Sequence, residues 1–282
     1  MVKQTKELEQ LRPARTYEVL ASVQTDPGCV RELNEDAGLY VQPSEPDTLA
    51  RKGRLALVAD GMGGHSAGEV ASGLAVEVIS RTYYEAEADA PAALRQAFAA
   101  ANRRIYEAAT QDEKLQGMGT TCTALALCDG AAFAAHVGDS RLYLVRDDEI
   151  YLLTEDHSAV MELVKQGLIS PAEARRHPDK NVILRALGTT PAVEASMWDE
   201  PLPVRTGDQF LLCSDGLHDL VADAEIKEVV SAASHPHEAC TQLIALARAR
   251  GGHDNITVGI ISLRDEQEAQ VLRPTREVEV AQ

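Results

Sequence analysis

Asp60-Gly61-Met62-Gly63-Gly64-His65 follows directly on the apolar run Leu55-Ala56-Leu57-Val58-Ala59. Such a run reads as a buried strand, which puts the Asp60 carboxylate at a strand end, ahead of a turn of small residues and an imidazole. One short loop thus offers a metal-ligating carboxylate, a main-chain carbonyl at Gly61 that no side chain screens, and a proton donor at His65. Three more aspartates border apolar, strand-like runs: Asp139 in Val137-Gly138-Asp139-Ser140, Asp215 in Cys213-Ser214-Asp215-Gly216 and Asp254 in His253-Asp254-Asn255. Taken singly, each is also a good turn former. Their recurrence at strand ends beside small residues is what a multi-metal site of oxygen donors requires. Carboxylates without Cys or paired His favour hard cations, Mg2+ or Mn2+, over Zn2+.

Asn34-Glu35-Asp36 adds two adjacent acids, and Arg31 lies just upstream. Cations beside such acids repel an arginine, but an anion held by those cations attracts it, and the planar guanidinium matches a phosphate bidentately. The alternative is a surface arginine paired with Glu32 or Glu35. Asp156-His157-Ser158 contains the residue types of a hydrolase triad, yet consecutive side chains cannot form that relay. His157 reads instead as a structural residue opening a short helix capped by Asp156 or Thr154. Arg175-Arg176-His177 with Lys180 is either a recruiting patch for acidic or phosphorylated segments or a solvated face.

The elements that must position these groups follow from pattern. Val19 to Thr25 and Leu55 to Ala59 read as strands. Glu69 to Glu87, with Val70, Leu74, Val76, Val78 and Ile79, and Ala92 to Thr110, with Leu94, Phe98, Ile105 and Tyr106, read as amphipathic helices, and Pro91 suits the start of the second. Strands follow at Thr120–Leu127, Ala131–Val137, Arg141–Arg146 and Glu149–Leu153, with Asp147-Asp148 as a tight hairpin turn. Residues 156–190 hold short helical pieces broken at Ser170-Pro171 and His177-Pro178, and read as a surface insert. Asp208–Cys213 is a strand, Asp223–Ala233 and His237–Arg250 are helices, and Asn255–Leu263 is a last strand. Strand-to-strand connections dominate the middle, which indicates a layered α+β fold rather than a doubly wound parallel sheet. Residues 1–16 read as a polar N-terminal arm, 17–263 as one domain, and 264–282 as a disordered tail.

The chain has 282 residues, 45% of them hydrophobic, and a formal net charge of −17, which argues against nucleic-acid or anionic-membrane partners. Its five cysteines form no Cys-x-x-Cys pair, the usage of a reduced compartment. No apolar stretch is long enough to span a bilayer and no signal-peptide core opens the chain. The expectation is a cytoplasmic protein, monomeric by default.

Arg31 with Asn34-Glu35-Asp36, Asp60-Gly61-Met62-Gly63-Gly64-His65, Gly117-Met118-Gly119-Thr120-Thr121, Val137-Gly138-Asp139-Ser140-Arg141, Ser214-Asp215-Gly216-Leu217 and Asp254-Asn255-Ile256-Thr257 together resemble the motif series of the metal-dependent protein phosphatase 2C family. The order agrees from about Tyr17 to Leu263, and Asn181-Val182-Ile183-Leu184-Arg185-Ala186-Leu187-Gly188 is similar to the bacterial branch. The resemblance implies a four-layer αββα sandwich of two antiparallel sheets flanked by helix pairs, with residues 156–190 as its flap. It implies that Asp60 bridges two metals, that Asp215 and Asp254 complete the first site, and that the Gly61 carbonyl with waters oriented by Glu35 and Asp36 completes the second. A third, weaker site maps onto Asp139 with help from Asp215.

Two cations about 3.5–4 Å apart share a water and lower its pKa, giving a bridging hydroxide for in-line attack on phosphorus. Arg31 and the metals neutralise the equatorial oxygens. His65 protonates the leaving alkoxide, help worth ~10²–10⁴-fold. The expected activity is therefore dephosphorylation of phosphoserine and phosphothreonine in proteins with Mn2+ or Mg2+, reversing a bacterial Ser/Thr kinase. The competing readings are a catalytically weak phosphoprotein-binding scaffold of the same fold, and a two-metal phosphodiesterase or nuclease, which conflicts with the charge and lacks a basic channel.

Overall fold

A computed structural model describes residues 17–63, 67–198 and 200–265. In chain order its strands and α-helices are β1 (Tyr17–Asp26), β2 (Asp36–Val41), α1 (Pro46–Lys52), β3 (Arg54–Met62), α2 (Ala67–Glu85), α3 (Ala90–Gln111), β4 (Gly119–Thr120), β5 (Cys122–Cys128), β6 (Ala131–Val137), β7 (Arg141–Arg146), β8 (Glu149–Leu152), α4 (Ala159–Lys165), α5 (Pro171–Ala174), β9 (Ser196–Met197), β10 (Leu202–Pro203), β11 (Gln209–Cys213), α6 (Asp215–His218), α7 (Asp223–Ala232), α8 (Pro236–Ala249) and β12 (Ile256–Asp265). One sheet has the order β1-β12-β11-β7-β8 and the other β10-β6-β5-β3-β2, with β4 on β3 and β9 on β6. Every strand pairing is antiparallel.

Strand alternation sorts the apolar side chains into three sheets of core, and this produces the layers. Leu55, Leu57 and Ala59 of β3 point to α2 and α3, while Ala56 and Val58 point between the sheets. On β11, Leu211 and Cys213 pack under α7 and α8, while Phe210 and Leu212 face the inter-sheet layer. The result is the expected α+β four-layer αββα sandwich. Asp147 and Asp148 both take positive φ, 54° and 61°, the geometry of a two-residue hairpin turn between β7 and β8. Asp89 caps α3 by accepting from the Ala92 amide at 3.0 Å, with Pro91 in the first turn.

Several expectations need correction. The strand β2 and the helix α1 were not anticipated. Gly38 weakens the β2 pattern, and it is there because a Cβ would stand 2.6 Å from Val23 of the facing sheet. On α2 the buried face is Ala67, Ala71, Ala75, Val78 and Ile79, whereas Val70 is exposed. Small residues let this helix lie close on the sheet. The cap of α4 is Ser158, whose side chain accepts from the Met161 amide, rather than Asp156 or Thr154. Ser170-Pro171 starts α5 through a Ser170–Glu173 capping box instead of ending a helix. The last strand runs on to Asp265, past the expected boundary at Leu263. The arm 1–16 and the tail beyond Asp265 lie outside the described residues.

The insert is rooted in the core. Asp156 makes a paired bond to the Arg141 guanidinium, 2.7 Å at Nη2, with both side chains nearly buried. His157 accepts from the Gly138 amide through Nδ1 at 3.1 Å, and its own amide donates to the Gly138 carbonyl at 2.7 Å. At the far end Leu187 bridges to Thr120, and Asn102 Oδ1 accepts from the Gly188 amide at 2.8 Å. The basic group on its tip is committed to internal pairs: Arg175 to Asp223 at 3.5 Å, and Lys180 to Asp219. Arg175 and Arg176 remain exposed, so the group is a solvated face that carries two ion pairs.

Asp156→Ala leaves Arg141 charged and buried with only the Tyr143 hydroxyl as partner. The expected loss is about 3–5 kcal/mol, read as a drop in urea midpoint with an unchanged slope; a loss under about 1 kcal/mol would show the pair to be dispensable.

Candidate functional site

Both sheets deliver acids to one end of the sandwich. Asp60 ends the apolar part of β3 and stands directly opposite Asp36 of β2 in register, so the two carboxylates share a face. Asp139 lies in the link from β6 to β7, Asp215 is the first residue of α6 behind β11, and Asp254 precedes β12. A cavity of about 320 Å³ is lined by Arg31, Glu35, Asp60, Gly61, Asp139, Asp215 and Asp254, together with Met62, Gly63, Asn181, Ile183 and Asn255. The acids read from the sequence thus converge, with one exception. Asp36 is buried behind Asp60, where its Oδ2 accepts from Ser214 Oγ at 2.7 Å. It backs the cavity without lining it. His65 lies outside the described residues.

Main-chain clamps hold these acids against their mutual repulsion. Thr121 Oγ1 accepts from the Asp60 amide at 3.0 Å, and the Thr121 amide and Thr120 hydroxyl both donate to the Asp60 carbonyl at 2.8 Å. The Asn255 side chain accepts from the Glu35 amide at 2.8 Å and donates to the carbonyls of Leu33 and Pro27. Glu35 Oε1 accepts from the Gly68 amide at the start of α2, 3.2 Å away. Gly61 is required here, since a Cβ would come within 2.1 Å of the Gly68 carbonyl oxygen. Asp139 is steadied by His218, whose Nε2 lies 3.0 Å from the Asp139 carbonyl. A carbonyl only accepts, so Nε2 carries the proton.

Sequence reading left Asn255, Thr120, Thr121, Ser214, His218, Asn181 and Ile183 without roles. The first four were inside recognised motifs, so the signal was present; it was read as turn and strand chemistry. Arg31 pairs with Asp254 at 2.7 Å, not with Glu32 or Glu35. That leaves most of its five N–H donors for other work.

Burial and then the charges of Asp36, Asp215, Asp139 and Asp254 hold the Asp60 carboxyl well above the ordinary carboxylate range. Burial and then Asp139, Asp219 and Asp254 do the same to Asp215. Burial chiefly, and then Asp156, raises Asp139 to about 7. Burial raises Asp36 to about 6 against the bonds from Ser214 and Thr257. Asp139 Oδ1 and Asp215 Oδ1 are buried without hydrogen-bond partners. Among the described residues no three acid, thiol or imidazole side chains already close on a single point as a metal cage would. The open cavity instead leaves room for water and main-chain oxygen to share the coordination, as hard cations prefer. Orphaned carboxylate oxygens and mutually raised acids are what divalent ions relieve, so the residues fit such ions.

A family model described as Protein phosphatase 2C matches residues 35–250. The chain is 39% identical over 246 residues to the serine/threonine phosphatase stp of Listeria innocua serovar 6a, covering 86% of this chain and 94% of that protein. Among solved structures it is similar to the Mycobacterium tuberculosis serine/threonine phosphatase PstP/Ppp, with a TM-score of 0.78 and 37% identity over 88% of this chain and 100% of that one. The catalytic domain of PstP in complex with two manganese ions gives a TM-score of 0.76 at 36% identity, over 89% and 100% of the two chains.

The raised acids carry a signed consequence for pH. Native Asp139 keeps its proton up to about 7 while the unfolded chain releases it near 3.8, so the native state binds more protons in between. Its contribution to stability therefore falls as pH rises through that window. In chelator, wild-type stability minus that of Asp139→Asn should decline from pH ~4 to pH ~7 and then level off, and Mn2+ should reverse the decline. Urea titrations across pH measure it; a flat difference would contradict the assignment.

Proposed function

Because the chain belongs to the protein phosphatase 2C family, we propose that it hydrolyses phosphoserine and phosphothreonine in proteins at the cavity bounded by Asp60, Asp139, Asp215 and Asp254. The observation that carries this reading is the convergence of those acids from both sheets on one cavity, with two buried carboxylate oxygens left unpartnered. Asp60, Asp215, Asp254 and the Gly61 carbonyl would hold two divalent ions, Mn2+ or Mg2+, with Asp139 and Asp215 available to a third. Bound there, such ions supply positive charge to the phosphoryl oxygens and acidify a water.

The remaining work falls to the chain. Glu35, fixed by the Gly68 amide, orients water at the cavity's wall, and Asp36, fixed by Ser214, acts from behind Asp60. Arg31 stays tethered to Asp254 and offers its other N–H groups to the phosphate as charge spreads over the equatorial oxygens. His65, five positions after Asp60 in the sequence, is the proton donor to the departing serine or threonine oxygen. Against a non-catalytic scaffold stands the presence of Glu35, Asp60, Asp139, Asp215 and Asp254 around one cavity, with Asp36 behind it. We read the physiological role as reversal of a bacterial Ser/Thr kinase by a cytoplasmic monomer; the bacterial relatives support the first part. No described helix is long and apolar enough to cross a membrane.

Turnover of a phosphothreonine peptide should vanish on chelation and return with Mn2+. Asp60→Asn should abolish it on any substrate, and activity retained in that variant would sink the bridging role. His65→Ala should slow the phosphopeptide ~10²-fold or more while an aryl phosphate, whose leaving group needs no proton, loses far less. Equal losses on the two substrates would remove His65 from the acid role.

A further inference from the structure

The strip Asn181-Val182-Ile183-Leu184 separates two cavities. One is the acid-lined cleft, which Asn181 and Ile183 line. The other, about 250 Å³, lies against α4 and α5; it shares Asp139, Asp215 and Asn181 with the first and is otherwise bounded by Ser158, Val160 and Arg141 among others. The strip leaves a turn at Asn181, bends at Leu184, and is paired along one edge at Ile183 by a single antiparallel bridge. The Ala159 amide donates to the Val182 carbonyl at 2.9 Å, the Leu184 amide donates to the His157 carbonyl at 2.7 Å, and Ser158 faces Ile183 as an antiparallel bridge. In that ladder the residue between the two bonds turns its own N–H and C=O the other way. Ile183 is that residue. Among the described residues neither of its main-chain groups has a partner. Ser158 lines only the second cavity and Ile183 only the cleft, so the open edge lies on the side of Asp60 and Asp254.

Two residues that line the cleft, Ile183 and Arg31, have exposed apolar neighbours in the chain that do not line it themselves. Val182 and Leu184 are 46% and 54% exposed on the strip, and Val30 and Leu33, flanking Arg31 on the opposite loop, are 66% and 48% exposed. An unpaired strand edge between exposed apolar side chains is the pattern that recognises extended peptide by strand addition: main-chain bonds give affinity, and alternate side chains give selectivity.

Resting on the phosphatase reading, we infer that the substrate is bound as an extended segment that adds a strand to the open edge at Ile183, and that Val30, Leu33, Val182 and Leu184 select apolar residues beside the phosphorylated one. One substrate residue exchanges both main-chain bonds with Ile183, and its neighbours on either side turn their amides away. The phosphate reaches the acids while the flanking side chains alternate between the cleft floor and these exposed apolar side chains. Acidic flanks are disfavoured twice, by those apolar surfaces and by the negative charge around them.

The test uses the Mn2+-loaded enzyme and phosphothreonine peptides with one N-methylated amide moved along the chain. The expected result is a loss in kcat/KM of about ten-fold at one flanking position with little loss at its immediate neighbours, carried by KM. Peptides with Leu or Val flanks should exceed Asp- or Glu-flanked ones by a similar factor. A non-hydrolysable phosphonate peptide should slow hydrogen exchange of the Ile183 amide. In Ile183→Pro, the ratio of peptide to aryl-phosphate kcat/KM should fall. Turnover indifferent to N-methylation and to flanking residues, with unchanged exchange at Ile183, overturns the docking mode while leaving the phosphatase reading intact. Failure to hydrolyse the aryl phosphate with Mn2+ overturns both.

Discussion

Like charges in a poorly solvated cleft repel strongly, and this protein gathers Asp36, Asp60, Asp139, Asp215 and Asp254 at one end of its sandwich. Among the described residues, side chains pair with only two of these carboxylates, Arg31 with Asp254 and Ser214 with Asp36, which leaves the others free. The fold opposes the repulsion through the main chain instead. Asp60 is pinned by Thr120 and Thr121, the Glu35 loop by Asn255, and the Asp139 link by His157 and His218. Because one sheet carries Asp36 and Asp60 and the other leads into Asp215 and Asp254, the spacing between acids is set by the core between the sheets. Val58, Leu125, Phe210, Leu212 and Ile261 are the spacers.

Three histidines near the acids behave as uncharged struts. Burial holds His136 and His218 down to about 3, and burial together with the nearby Arg185 holds His157 down to about 4. Proximity to carboxylates would ordinarily raise them, but desolvation and neighbouring cations prevail. Each strut therefore supplies a directional hydrogen bond without adding a charge that titrates near neutrality. His157 shows the point: Nδ1 accepts from Gly138, which assigns the proton to Nε2 and lets it donate to Ser196 Oγ at 2.9 Å.

The acids were readable because Asp beside Gly or Ser at the border of an apolar run is a context that sequence displays, although Asp60 lies inside β3 rather than at its end. Leu55 to Ala59 announced β3 by its unbroken apolar run, and Asp147-Asp148 announced its turn by composition. What was not readable depended on tertiary approach. β2 hides because Gly38 must clear Val23, and the α2 face was misjudged because close packing favours Ala71 and Ala75 over Val70. Asn255 and Thr121 were visible as letters, yet their partners stand over a hundred residues or about sixty residues away in the chain. The basic group at Arg175 to Lys180 looked free because its acids, Asp219 and Asp223, come from another element.

The insert over the cleft is fastened in two unlike ways. At its root the Arg141–Asp156 pair is enclosed, and dissolved ions reach it poorly. At its tip, Lys180–Asp219 and Arg175–Asp223 are more exposed than the root pair, within reach of screening that acts over about 8 Å at physiological ionic strength. Salt therefore divides the segment like a leaf on a stalk: the blade loosens while the petiole holds. The strip at Ile183, between blade and stalk, keeps its pairing to His157 and Ala159 in both conditions, so the wall of the cleft stays in place while the cover above it gains freedom to lift.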